Sequence, residues 1–144
     1  MAAKSNGKDG ERERFNNYLD IDGSDPSCIE EKLSTLPKEF MRQTQRRAGL
    51  LQMRIDAVRQ AEALKNEVYL ELRKQKDSGD KSLTEDVISA RIKSDEGYLN
   101  AAAEVSSLEL AEVVQSGRLE ALRMLERCVL SLATSLATER RLSR

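Results

Sequence analysis

Forty consecutive positions, Pro37 to Lys76, contain no internal proline and a single glycine, Gly49. Such a run reads as one long helix, and at about 1.5 Å per residue it spans roughly 60 Å. A helix of that length in a chain of 144 residues cannot be wrapped by a compact domain, so it needs a partner along its length. On a 3.6-residue period, Phe40, Leu50, Leu51, Ile55, Val58, Ala61, Leu64, Val68 and Leu72 fall within one half of its surface, opposite Gln52, Asp56, Arg59, Gln60, Asn66 and Glu67. Arg47, Arg54 and Lys65 interrupt the apolar half. Their long stems can cover apolar surface while the charges reach water or a carboxylate on a neighbouring helix; alternatively they line a groove for an anion.

Residues 1–23 are rich in Gly, Asn, Lys and acidic side chains, with Phe15, Tyr18, Leu19 and Ile21 as isolated apolar points, which predicts a disordered tail. Residues 24–144 form the helical domain. Ser24-Asp25-Pro26 stacks start signals, Ser27 with Glu30 reads as a capping box, and a short helix to about Leu33 is expected before Pro37 restarts the chain as the long helix, ending at residue 76. Asp77-Ser78-Gly79-Asp80-Lys81 is a strong turn signal, and Ser82 with Glu85 predicts a second capping box for a short helix within residues 77–94. Ser94-Asp95-Glu96-Gly97 then caps a return arm over 95–144 that contains no proline.

The apolar stripe of that arm changes direction. Leu99, Ala102, Ala103, Leu110, Val113 and Val114 define one face, whereas beyond Gly117 a broader stripe of Leu119, Leu122, Leu125, Val129, Leu132 and Leu136 is rotated by roughly a quarter turn. A supercoil drifts only about 20° per heptad. The pattern therefore predicts a change of partner: the first half of the arm packs on the long helix, and the second half holds other copies of the chain. The fold class that follows is all-α, a long antiparallel helical hairpin with short helices at its start and turn, oligomeric through the C-terminal helix.

Composition excludes several function classes. With 39% hydrophobic, 34% charged and only 3% aromatic residues, the chain is charge-laced and has little with which to build a large core, so association with further copies is expected. No run approaches the roughly 18 apolar residues of a membrane span, and the first ten residues contain no apolar run of the signal-peptide kind. A soluble cytoplasmic protein without a membrane partner is the expectation. There is no histidine, Cys28 and Cys128 are far apart, no glycine-rich phosphate loop is present, and the carboxylates fall on solvated helix faces. Neither an enzyme, a cofactor nor a metal site is expected.

The net charge of −1 conceals segregation: residues 38–76 carry 10 bases and 5 acids, and residues 77–117 carry 3 bases and 9 acids. Two arms could neutralise each other, with Glu104, Glu109 and Glu112 facing the basic helix. Against this, Lys38, Arg42, Arg46 and Arg47 crowd the first turns of the long helix, where the macrodipole prefers acids, as suits an end that holds phosphates. Lys38, Arg42 and Arg46 are spaced by four and form a ladder. With Arg47, Arg54, Arg59 and Lys65 they are the candidate DNA-binding set.

The order of these signals resembles the UvsY-type recombination mediators of tailed phages. The likeness runs from about Ile21 to Leu142. It comprises Ile-Asp-x-x-Asp-Pro opening a helix, Leu-Pro before a long helix, Met53-Arg54-Ile55-Asp56-Ala57, Ala63-Leu64-Lys65, the Gly79–Glu85 turn, the Ser-Asp-Glu start of the return arm, and Leu119-Glu120-Ala121-Leu122-Arg123 before an apolar C-terminus. The resemblance implies a small helical protein of the host cytoplasm that assembles into a ring through its C-terminal helix and binds single-stranded DNA. It also implies that a RecA-type recombinase and a single-strand-binding protein are partners, the first being helped to replace the second. The family's basic element maps onto Leu64-Lys65, where Lys65 carries over but Asn66 and Glu67 replace further bases, shifting weight to the arginines. The competing class is a structural or chaperone-like coiled-coil oligomer, a virion scaffold or prefoldin-like holder, without nucleic-acid binding.

Overall fold

A computed structural model describes residues 6–143 of the chain, all of its regular structure being helical: α1 (Asn6–Leu19), α2 (Pro26–Asp77), α3 (Glu85–Ser94) and α4 (Glu96–Leu142). The two long helices pack together and contribute to two compact units. One unit combines the chain up to Gln45 with the chain from Ser116 onward; the other is Arg46–Gln115.

In the first unit, Phe15, Ile29, Leu36, Leu122, Leu125 and Val129 form the core, flanked by Tyr18, Leu19, Ile21, Phe40, Leu132 and Leu136. The tail expected over residues 1–23 is thus corrected over its described part, because residues 6–19 are helical; residues 1–5 lie outside the described residues. Phe15, Tyr18 and Leu19 are spaced by three and one, which places them on one side of a helix. A 14-residue helix is marginal alone and is held here by burying Phe15 to 5% exposure. Asp25 caps α2, its Oδ1 accepting from the Ser27 amide at 2.9 Å, with Pro26 at the first helical position in place of the expected Ser27–Glu30 box.

The expected restart at Pro37 does not occur: α2 is continuous through it. Proline in a helix interior removes one amide bond and costs about 3 kcal/mol. Ile29 and Leu36, seven residues apart and both buried, anchor the segment from one side, while the Pro37 ring lies exposed. Packing outweighs the lost bond.

The stripe from Leu119 to Leu136, expected to hold other copies, has a different partner. Leu119, Leu122, Leu125 and Val129 are 7%, 0%, 6% and 0% exposed, and the last three pack on Phe15, Ile29 and Leu36 of the same chain. Sequence periodicity identified an apolar face; it could not distinguish a second copy from α1.

In the second unit, α2 ends where Gly79 adopts φ +111°, a conformation that side chains resist. Thr84, rather than Ser82, caps α3 by accepting from the Val87 amide at 3.4 Å, and Asp95 caps α4 by accepting from the Tyr98 amide at 2.9 Å. Leu72, Leu83, Ile88 and Ile92 close into a cluster with Val68 and Tyr98. The remainder of this unit's buried apolar set is Ala57, Ala61, Ala101 and Leu108. The face of α4 expected to pack is corrected as well: Leu99, Leu110, Val113 and Val114 are 49–68% exposed. The packed side is Ala101, Leu108 and Gln115, recurring every seven residues, with half-buried Tyr98, Val105 and Glu112 each three residues before one of them. Two polar members hide this seam from a hydropathy count.

Candidate nucleic-acid interface

The structure divides the seven candidate cations. Lys38 and Arg42 belong to the first unit, and Arg46, Arg47, Arg54, Arg59 and Lys65 to the second.

In the second unit Arg54 is neutralised within the chain, its Nη1 lying 2.7 Å from Glu112 Oε2 with both side chains at least partly buried. That contact realises the charge-neutralising alternative for one residue. Arg59 pairs loosely with Asp56 at 3.9 Å, both well exposed, an arrangement worth little. Arg46 is half-buried and engaged within the chain. Arg47 and Lys65 are exposed and form no ion pair among the described residues.

In the first unit Lys38 is exposed and likewise forms no ion pair among the described residues. Arg42 is half-buried beside Glu39, Nη2 to Oε1 at 3.4 Å. That oxygen is already taken: the fully buried Gln43 donates to it from Nε2 at 2.6 Å. Arg42 Nε is buried and has no hydrogen-bond partner. Arg42 and Lys38 line a cleft of about 520 Å³ that α1 completes with Arg14, Phe15 and Tyr18. Lys32, only 9% exposed, also lines it, donating to the Tyr18 carbonyl oxygen and holding Nζ 4.2 Å above the Tyr18 ring. The Tyr18 hydroxyl meets Thr35 Oγ1 at 3.0 Å. Burial pushes the Tyr18 hydroxyl above its usual range, the Thr35 bond opposing and Glu39 and Glu31 reinforcing, so the ring stays neutral.

Arg14, Lys32 and Tyr18 were outside the candidate set. The one sequence signal for Arg14 and Tyr18 was the spacing of Phe15, Tyr18 and Leu19, which marks α1 as a packed helix; Lys32 lies on α2, ahead of the basic run. Among the described residues no group of three or more His, Cys, Asp or Glu is placed to hold a metal, and no helix is long and apolar enough to cross a membrane. Cys28 and Cys128 are free thiols.

No family model, curated protein or solved structure matches the chain. The functional reading accordingly rests on the charges and on the sequence resemblance.

Proposed function

We propose that this chain is a non-enzymatic recombination mediator of the UvsY type, which binds single-stranded DNA and assists a RecA-type recombinase in replacing a single-strand-binding protein. The observation that carries the DNA-binding part is that Lys38, Arg47 and Lys65 stand exposed without an ion pair among the described residues, although Glu112 is close enough to α2 to neutralise Arg54. Cations left to solvent are available to displace counterions from phosphates. With few aromatic side chains, binding is electrostatic rather than built on stacking. A hairpin of α2 and α4 is supported by the second unit, where Arg54 meets Glu112 while Val68 and Leu72 share a cluster with Tyr98, so the two helices run in opposite directions there. Assembly into a ring, which the resemblance implies, has to use surface that the core leaves over, such as Leu110 and Val113.

A titration of labelled oligo-dT at two salt concentrations tests the reading. Removing three charges with Lys38→Gln, Arg47→Gln and Lys65→Gln should weaken binding and reduce the log–log salt slope by about 2, from −0.7 per phosphate contact. Unchanged affinity with a lowered melting temperature would refute it. The Arg54–Glu112 pair and the exposed Leu110 and Val113 favour the second reading, a structural coiled-coil oligomer, which predicts no binding at either salt concentration.

A further inference from the structure

We infer that the cleft between α1 and α2 in the first unit is a phosphate-binding pocket. The pocket itself stands on its own geometry; that a DNA strand is the source of the phosphate rests on the function proposed above.

Arg14, Lys32, Lys38 and Arg42 line the cleft against one carboxylate, Glu39. Glu39 Oε1 accepts from buried Gln43 at 2.6 Å and stands 3.4 Å from Arg42 Nη2, so a single negative charge faces four positive ones. The Arg42 Nε–H is buried and has no hydrogen-bond partner, so this guanidinium is only partly satisfied by the protein. An anion seated in the cleft answers the excess of positive charge.

Several features favour phosphate over a carboxylate. A carboxylate brings one charge, whereas four cations distributed around about 520 Å³ suit a group with several oxygens and more than one charge. Arginine presents its donors as a fork that phosphate oxygens match, and Lys38 adds an exposed point charge at the rim. Lys32 is held in place by the Tyr18 carbonyl oxygen and ring, so its charge is fixed before any ligand arrives. Preorganisation of this kind lowers the entropic penalty of binding.

The probe is inorganic pyrophosphate, titrated calorimetrically into the full chain. Arg14→Gln with Lys38→Gln, both at exposed positions, should weaken binding at least tenfold while leaving the circular dichroism melt unchanged; Lys93→Gln, exposed in the other unit, should have no effect. Absence of pyrophosphate binding, or binding indifferent to the Arg14/Lys38 double variant, overturns the pocket. Oligo-dT then separates the sources. Competition between oligo-dT and pyrophosphate identifies a phosphodiester strand as the occupant. Oligo-dT that binds without competing shows a pocket for a free phosphate compound, with DNA held elsewhere. Pyrophosphate binding without any oligo-dT binding keeps the pocket and removes the DNA-binding function.

Discussion

Replacing Phe15 by alanine asks whether α1 is part of the folded protein or a tail resting on it. Phe15 is 5% exposed and packs in the cluster of Ile29, Leu36, Leu122, Leu125 and Val129. Losing the ring forfeits the transfer free energy of a buried Phe, about 2–3 kcal/mol, and leaves a cavity whose lining relaxes only partly. The Arg118 guanidinium, 5.4 Å from the ring centroid, loses a contact worth roughly 0.5–1 kcal/mol. The sum is about 3–4 kcal/mol, bounded above by the free energy with which α1 docks, since beyond that point the helix detaches and the rest survives. Urea unfolding with native-state hydrogen exchange resolves the two regimes. The expected result is a loss of about 3 kcal/mol, with amides of Arg12 to Leu19 exchanging early while those around Leu122 keep most of their protection. A change under about 0.5 kcal/mol, with exchange in α1 already fast before substitution, would refute the assignment of Phe15 to the core.

Three further outcomes follow from the structure. Leu125→Glu should abolish cooperative unfolding of the first unit, since an unpaired charge in that core costs several kcal/mol; a well-folded variant of reduced mass by light scattering would show instead that Leu125 holds two copies together. Gly79→Val should destabilise by about 1–2 kcal/mol in a urea melt, because φ +111° is closed to a branched side chain; no loss would mean that the turn rearranges freely. The Glu85 carboxyl is held below its usual value of 4.5, first by its hydrogen bond with Lys76 at 3.0 Å and then by the charges of Lys76 and Arg73. A folded-state value below the unfolded one stabilises above pH 4.5 and is lost as pH falls through the folded value, so Glu85→Gln should lower the melting temperature slightly at neutral pH, with the two profiles converging in acid; profiles that differ in acid and agree at neutral pH would refute the assignment.

What could be read from the sequence follows from where the signals were local. The Asp77–Lys81 turn signal and the Asp95 cap each declare themselves within a few residues, and the end of α2 and the start of α4 lie at them, whereas α2 begins eleven residues before the expected Pro37. Three features depended on contacts distant in sequence. α1 is polar but for Phe15, Tyr18 and Leu19, and it becomes a helix because residues more than a hundred positions away receive its face. Pro37 is a start signal by local rules and is overridden by the burial of Ile29 and Leu36, two turns apart on one side of the helix. The packed side of α4 includes Glu112 and Gln115, so the more hydrophobic row of Leu110, Val113 and Val114 attracted the assignment although it faces water. The candidate site shows the same division. The cations of α2 were visible as a basic run, but Arg14 joins Lys32, Lys38 and Arg42 only because α1 folds back onto α2.

The cluster around α3 has a kinetic consequence. Val68, Leu72, Leu83, Ile88, Ile92 and Tyr98 all come from one short stretch of chain, so closing it requires small loops and little chain entropy. The core of the first unit needs Phe15 and Ile29 to find Leu122 and Val129 across most of the sequence. Contacts of low sequence separation form first in such a topology, which makes the α3 corner the nucleus and the first unit the late step. Conservative truncations should report that order: Ile88→Val should slow refolding, with a φ-value approaching 1, whereas Val129→Ala should mainly accelerate unfolding, and the reverse pattern would place the nucleus in the first unit.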